Sequence, residues 1–213
     1  MKSVAAVLMV AGAASACAVT GEAVPSLDLS SKSVPSSAFP YGPGQPVPSA
    51  QVPGILADIT FRPLRGENTP ADCTPAPVDA PTARVLVGPG GPAQGTLTTM
   101  VVRATDSFDD FVARARRCGE FALGGTVGTS VATEVTPVDG GVPGVRLERR
   151  IRMGPADQPA PPPTSSVTEF VAQQGDIRVY VQNRRPGGDD LGAEELGATR
   201  TLFDAARTRA FGG

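Results

Sequence analysis

The chain has 213 residues, with 19 Lys and Arg against 21 Asp and Glu, so its formal net charge at pH 7 is -2. A chain this close to neutral has no general electrostatic attraction to nucleic acid, and nucleic-acid binding is not expected. Because the chain contains no histidine, Ser-His-Asp triads, Cys-His dyads and histidine-based metal sites are excluded.

The first residues are typical of a signal peptide. Lys2 provides a positive start, and residues 4–13 (VAAVLMVAGA) form an apolar run that is too short to span a bilayer. Residues 14–17 (ASAC) resemble the lipobox of bacterial lipoproteins, in which a diacylglyceryl group is attached to the cysteine sulfur before cleavage in front of it. The resemblance implies that residues 1–16 are removed and that Cys17 is the lipidated first residue of the mature protein.

The same small residues also suit ordinary secretory cleavage. That cleavage would leave three cysteines and an exposed terminal thiol in an oxidising compartment, which is unfavourable. We therefore favour a lipid anchor in the cell membrane, with the protein on the extracytoplasmic face. Cys73 and Cys118 then remain as an even pair without a CxxC partner, and we expect a structural disulfide between them.

Residues 17–53 are rich in Pro, Ser and Gly and contain few apolar side chains. Such a segment cannot offset the entropy lost on ordering, so it is predicted to be a disordered tether. Phe39 and Tyr41 within it are expected to be solvated. The remaining residues, 54–213, are enough for one domain with a single core.

The first half of this domain predicts a hairpin and a helix. Residues 84–87 (RVLV) and 96–104 (TLTTMVVRA) are β-rich runs joined by a loop of Gly and Pro. Ser107 is a good N-cap, and apolar residues at helical spacing follow it as far as Cys118 and a stop at Gly119. Residues 69–75 (TPADCTP) predict a short turn bounded by prolines.

The second half predicts four strands and a final helix. Residues 130–136 and 145–153 form two of the strands. The second has a strict period of two, with Val145, Leu147, Arg149, Ile151 and Met153 on one face and Arg146, Glu148, Arg150 and Arg152 on the other. Residues 167–173 and 177–183 predict a hairpin, and residues 191–211 a helix. This order predicts an α+β fold, an antiparallel sheet with helices packed on one face.

The order of elements and three motifs resemble small actinobacterial lipoproteins related to the extracellular sensor domain of the mycobacterial PknH-type kinase. The motifs are TPADC at residues 69–73, FVARARRCG at 111–119 and QQGDIRVYV at 173–181. The resemblance covers residues 53–211. It implies a non-catalytic, surface-displayed domain that senses or binds a component of the cell envelope.

A basic stripe is the candidate ligand-binding site. Arg146, Arg150 and Arg152 share one face of a strand, and Arg178 and Tyr180 are expected nearby on another. Arginine suits phosphate or carboxylate groups, and a tyrosine can stack on a sugar or an acyl chain. The alternative is a solvated sheet face whose charges are balanced by Glu148 and Glu169.

Other chemistry has less support. The adjacent carboxylates at residues 109–110, 189–190 and 194–195 lie near helix starts, where the helix dipole explains them better than hydrolysis does. No cofactor or metal site is expected.

Three functional hypotheses follow, in decreasing order of support. The first is a binding or sensor domain for an envelope lipid, glycolipid or peptide, and an apolar pocket between sheet and helices would favour it. The second is an adaptor for another envelope protein, favoured by an exposed apolar patch. The third is a hydrolase, which would need a cleft with converging acids of perturbed pKa.

Overall fold

A computed structural model describes residues 27–125, 129–154 and 162–212. The signal peptide, Cys17 and the tether residues up to position 26 lie outside the described residues. In chain order, the strands and α-helices are β1 (Gln45–Pro46), α1 (Val52–Thr60), β2 (Arg84–Pro89), β3 (Thr96–Arg103), α2 (Phe108–Arg117), β4 (Glu120–Ala122), β5 (Thr129–Val138), β6 (Gly144–Met153), β7 (Thr164–Gln174), β8 (Ile177–Pro186) and α3 (Ala193–Phe211).

The described strands form one sheet in the order β1-β2-β3-β8-β7-β6-β5-β4. Every neighbouring pair is antiparallel. The α+β class with an antiparallel sheet is therefore confirmed. The hairpins β2–β3 and β7–β8 and the helix α2 lie where the sequence predicts them, and Ser107 caps α2 by accepting a hydrogen bond from the Asp110 N–H.

The helices, however, pack on both faces of the sheet and not on one. Leu202 and Phe203 of α3 join a cluster with Phe170, Val179 and Val181. Helices α1 and α2 join a second cluster that contains Tyr180. Because consecutive side chains of a strand point to opposite faces, the two clusters lie on opposite sides of the sheet. We name these sides the α3 face and the α1/α2 face.

The central strands explain this arrangement. Strand β7 is buried from Ser165 to Gln173 and β8 from Ile177 to Asn183, with no alternation between buried and exposed positions. A strand that is apolar on both faces needs cover on both faces. Two helices on one side and one on the other provide that cover.

The tether prediction is wrong for residues 27–53. Leu29, Val34 and Phe39 are only 0, 5 and 6 % exposed and pack in the cluster of α3. We name residues 27–47 the strap. Its few apolar residues are enough because each reaches the core, and α1 already begins at Val52.

The strap also makes a close contact with glycine backbone. A Cβ on Gly44 would lie 2.4 Å from the ring of Phe39, and one on Gly88 would lie 2.7 Å from it. The ring therefore lies against two positions where only glycine leaves space. Tyr41, which was expected to be solvated, is partly buried.

The disulfide between Cys73 and Cys118 is confirmed. It joins a 3-10 turn at Ala71–Cys73, where a Pro-bounded turn was predicted, to the C-terminal end of α2. Both cysteines are buried. The bond therefore fixes the long connection before β2 onto the α1/α2 face.

Candidate functional site

The α3 face of the sheet is open over part of its last three strands, whereas Val138 and Val142 at the β5–β6 turn pack against the α3 cluster. Arg146 pairs across β7 and β8 with Phe170 and Val181, so it projects on the side of α3. Next to the start of that helix lies an open groove of about 470 Å3. We name it the β4–β6 groove; its charged lining residues are Glu120, Glu134, Arg146, Glu148, Arg149, Arg150 and Asp190.

Two arginines of the predicted stripe are matched by carboxylates inside the groove. The Nε atom of Arg146 lies 3.2 Å from Oε1 of Glu148, and an Nη atom of Arg150 lies 3.0 Å from Oδ1 of Asp190. Thr168 donates a hydrogen bond of 2.6 Å to the other oxygen of Glu148. The floor of the groove is thus an internally paired set of charges.

Glu148 is the groove residue with a perturbed pKa. Burial raises the pKa of its carboxyl above the ordinary value, against the effects of Thr168 and Arg146, and the charges of Asp190 and Glu134 add to the increase. Glu134 lies directly opposite Glu148 in the β5–β6 register. Like charges at such positions disfavour ionisation.

Two charged residues that line the groove, Glu120 and Glu134, have no ion-pair partner within the described residues, and neither has Arg152 in a neighbouring depression. All three side chains are exposed. Arg152 lies toward the other end of β5, beside Ser130, in a second depression of about 500 Å3 that also contains Arg150 and Glu120. These unmatched groups are the ones free to meet a polar ligand.

Arg178 and Tyr180 do not belong to this surface, so that part of the predicted site is wrong. Tyr180 pairs with Val171 and, through it, Val145, which places its side chain on the α1/α2 face. Arg178 projects on the same face, and both residues are only 2 % exposed. Glu169, expected to balance the stripe, is also buried on that face, opposite Leu147.

Arg178 instead binds the segment that leads into α2. It donates hydrogen bonds to Gln173 Oε1 at 2.6 Å, Asp106 Oδ1 at 2.8 Å and the Tyr180 hydroxyl at 3.1 Å. Its guanidinium carbon lies 4.5 Å from the ring centre of Phe111. Burial raises the pKa of Tyr180, although Arg178 opposes the shift. These bonds occupy Arg178 within the protein.

A second buried network was not predicted as a unit. Arg149 donates a short hydrogen bond to Glu169, and the Arg149 guanidinium lies 4.3 Å from the ring centre of Phe61. Burial raises the pKa of Glu169 despite this arginine. The sequence contains one signal for the Arg149–Glu169 pair, because Arg149 lies on the face of β6 whose other residues are apolar.

Two spaces between the sheet and the elements that cover it are small within the described residues. The apolar space lined by Phe61, Phe111 and Phe121 measures about 30 Å3, and one below the strap about 10 Å3. Both volumes are far below the value of about 300 Å3 at which typical ligand pockets begin. Neither space can hold an acyl chain.

The described part of the chain offers no group of three His, Cys, Asp or Glu residues arranged to hold a metal ion. Over the same ranges, no helix has the length and apolar character needed to cross a membrane.

Searches for similar proteins found no matching family model, no matching curated protein and no matching solved structure.

Proposed function

We propose that the mature chain is a lipid-anchored, non-catalytic binding domain on the extracytoplasmic face of the cell membrane, and that the β4–β6 groove holds its ligand. The ligand in this proposal is a polar component of the cell envelope. Relationship to the sensor domain of the PknH-type kinase is part of the same proposal and rests on the sequence motifs.

One observation supports the groove. It is an open depression of about 470 Å3 whose walls carry charged side chains of both signs, next to a sheet face that α3 leaves uncovered. Exposed charged groups that converge on one depression suit recognition of a polar ligand. The charged lining of the groove suits a polar ligand better than an acyl chain.

The acids of the groove favour binding over hydrolysis. Glu148 and Asp190 each contact an arginine at 3.2 Å or less. Each of these carboxylates is therefore already engaged by a cation of the protein. The raised pKa of Glu148 has its cause in burial, which a binding site shares with a catalytic one.

The ligand can be tested by native mass spectrometry of the full chain purified from its own host. We expect a co-purifying mass that is reduced severalfold in an Arg146→Gln, Arg150→Gln variant, because both side chains line the groove. Arg209→Gln, an exposed position on α3, is the matched control and should retain the mass. A co-purifying mass that is unchanged in the double variant would place the ligand elsewhere.

The anchor needs a separate test. Labelling with a palmitate analogue should modify the wild-type chain and fail in Cys17→Ala, because thioether attachment requires that sulfur. Equal labelling of both chains would contradict Cys17 as the lipidated residue.

The adaptor hypothesis is the second candidate, and one observation favours it. Residues 134–138 of β5 pair with no described strand on their outer side, and such an open edge can pair with another chain.

A further inference from the structure

The outer edge of β5 is only partly covered. Strand β4 pairs with residues 130–132 of β5, and the Thr133 N–H bonds the Gly119 carbonyl. The residues that precede β4 in the chain, Cys118 and α2, do not continue the strand along this edge. From residue 134 to residue 138, β5 pairs with β6 on its inner side and with no described strand on its outer side.

The alternation of an antiparallel ladder fixes which groups point outward. Because Thr133 donates to the β4 side, the N–H and C=O of Val135 point to that side as well. They have no hydrogen-bond partner in the described ranges 27–125, 129–154 and 162–212. Pro137 has no N–H, and a proline on an open edge limits pairing to a short segment.

The charge beside this edge is negative on the groove side. Glu134 on β5 and Glu120 at the start of β4 are exposed and lack described ion partners, whereas Arg146 and Arg150 are already matched. The exposed Arg116 and Arg117 belong to α2, which packs on the other face of the sheet. An extended chain added here would therefore meet carboxylates with its groove-facing side chains.

We infer that the groove receives an extended peptide that adds to the edge of β5 in line with β4 and presents basic side chains to Glu134 and Glu120. This inference rests on the proposed function and specifies its ligand. Main-chain bonds to Val135 supply affinity, and the alternate side chains supply selectivity. The open edge spans five residues, so the paired part of the peptide is short.

The test uses a fluorescent hexapeptide of alternating Lys and Thr, titrated into the full chain by fluorescence anisotropy. The side chain of Val135 packs with the α1/α2 cluster. A peptide residue that exchanges main-chain hydrogen bonds with Val135 carries its side chain on that same face. In the alternating peptide these residues are Thr when the Lys side chains point into the groove. N-methylation of the Thr residues removes the donors that pair with β5 and should weaken binding at least tenfold. N-methylation of the Lys residues is the matched control and should change binding less than about twofold.

Charge is tested separately. Glu134→Gln should weaken binding about two- to fivefold, the range of an exposed ion pair. Asp109→Asn, at the far end of α2, should not weaken it. A hexapeptide of Glu and Thr should bind at least fivefold more weakly than the Lys peptide. Equal affinity of the two N-methylated peptides would exclude strand pairing, and equal affinity of the Lys and Glu peptides would exclude the charge argument.

The outcomes separate this inference from the proposed function. If the hexapeptide fails to bind while the host-derived mass still depends on Arg146 and Arg150, the peptide inference is wrong and the groove remains the binding site. If there is neither hexapeptide binding nor a co-purifying mass, both are wrong.

Discussion

Removing one partner of the buried pair between Arg149 and Glu169 should destabilise the fold strongly. Arg149 is 7 % exposed and Glu169 is fully buried. Without the arginine, Glu169 would keep only a hydrogen bond of 3.4 Å from the Gln182 amide. Breaking a buried ion pair leaves an uncompensated charge, so Arg149→Met should cost about 3–5 kcal/mol of unfolding free energy.

The cost of Arg149→Met should depend on pH, because it depends on whether Glu169 is ionised. Burial holds the folded-state pKa of Glu169 above its ordinary value, and loss of Arg149 removes the largest effect that opposes the increase. A carboxyl whose folded pKa exceeds its unfolded pKa destabilises the fold when ionised. The loss of unfolding free energy in Arg149→Met is therefore complete at a pH above the folded-state pKa of Glu169. It declines as the pH falls through that pKa. We expect a smaller penalty at pH 5 than at pH 8.

The assay is urea unfolding of the full chain, followed by circular dichroism at both pH values. The set comprises the wild type, Arg149→Met, Glu169→Gln and the double variant, whose loss should fall short of the sum of the single losses by about 2 kcal/mol. Arg150→Met is the matched control at the next position, where the side chain is 63 % exposed. Its cost should be below about 1 kcal/mol. Additive single losses, or a pH-independent penalty, would refute the reasoning.

Two further predictions concern the connections of the fold. The Cys73–Cys118 bond spans a sequence separation of 45. Replacing both cysteines, Cys73→Ala with Cys118→Ala, should therefore lower the free energy of unfolding by about 4 kcal/mol on the chain-entropy model. A loss below about 1 kcal/mol in urea unfolding would contradict this prediction. Gly44→Ala forces a Cβ to within 2.4 Å of an aromatic ring and should accelerate hydrogen exchange throughout the strap. Its control, Gly54→Ala in α1, meets nothing within 4 Å and should stabilise the protein by about 0.5 kcal/mol; equal exchange in both variants would argue against the packed strap.

The sequence was sufficient wherever a local pattern decides the structure. The N-cap at Ser107, the apolar spacing of α2 and the strict alternation in β6 each depend on neighbours within one turn or one strand. The same local evidence placed Arg146, Arg150 and Arg152 on one side of β6. Composition and cysteine number were enough to predict the disulfide.

The sequence was insufficient where the answer depends on long-range pairing. Strand β8 is buried at every position from Ile177 to Asn183, so its pattern does not indicate which face Tyr180 takes. Only the register through β7 decides this, and a shift by one residue would reverse it. Strand β4, with three residues, exists because β5 pairs with it.

The strap was missed for a different reason. Its composition is that of a disordered segment, and average composition measures what a segment can bury by itself. Three apolar residues spaced over Leu29, Val34 and Phe39 bury little against one another, but each packs against a core that other elements have already built. Prolines also reduce the entropy that the strap loses on ordering. A segment of this kind is ordered by the surface on which it packs and not by its own sequence.

The charged residues of the sheet divide into two groups with different consequences for binding. On the α1/α2 face, Arg149, Arg178 and Glu169 are buried and bonded within the protein. A ligand that competed for these residues would have to expose a buried charge or leave it without its partner. The cost would be comparable with the stability of the domain. On the α3 face, Arg146 and Arg150 line an open groove. Under the proposed function, a ligand in that groove meets these side chains without breaking the buried bonds of Arg149, Arg178 and Glu169.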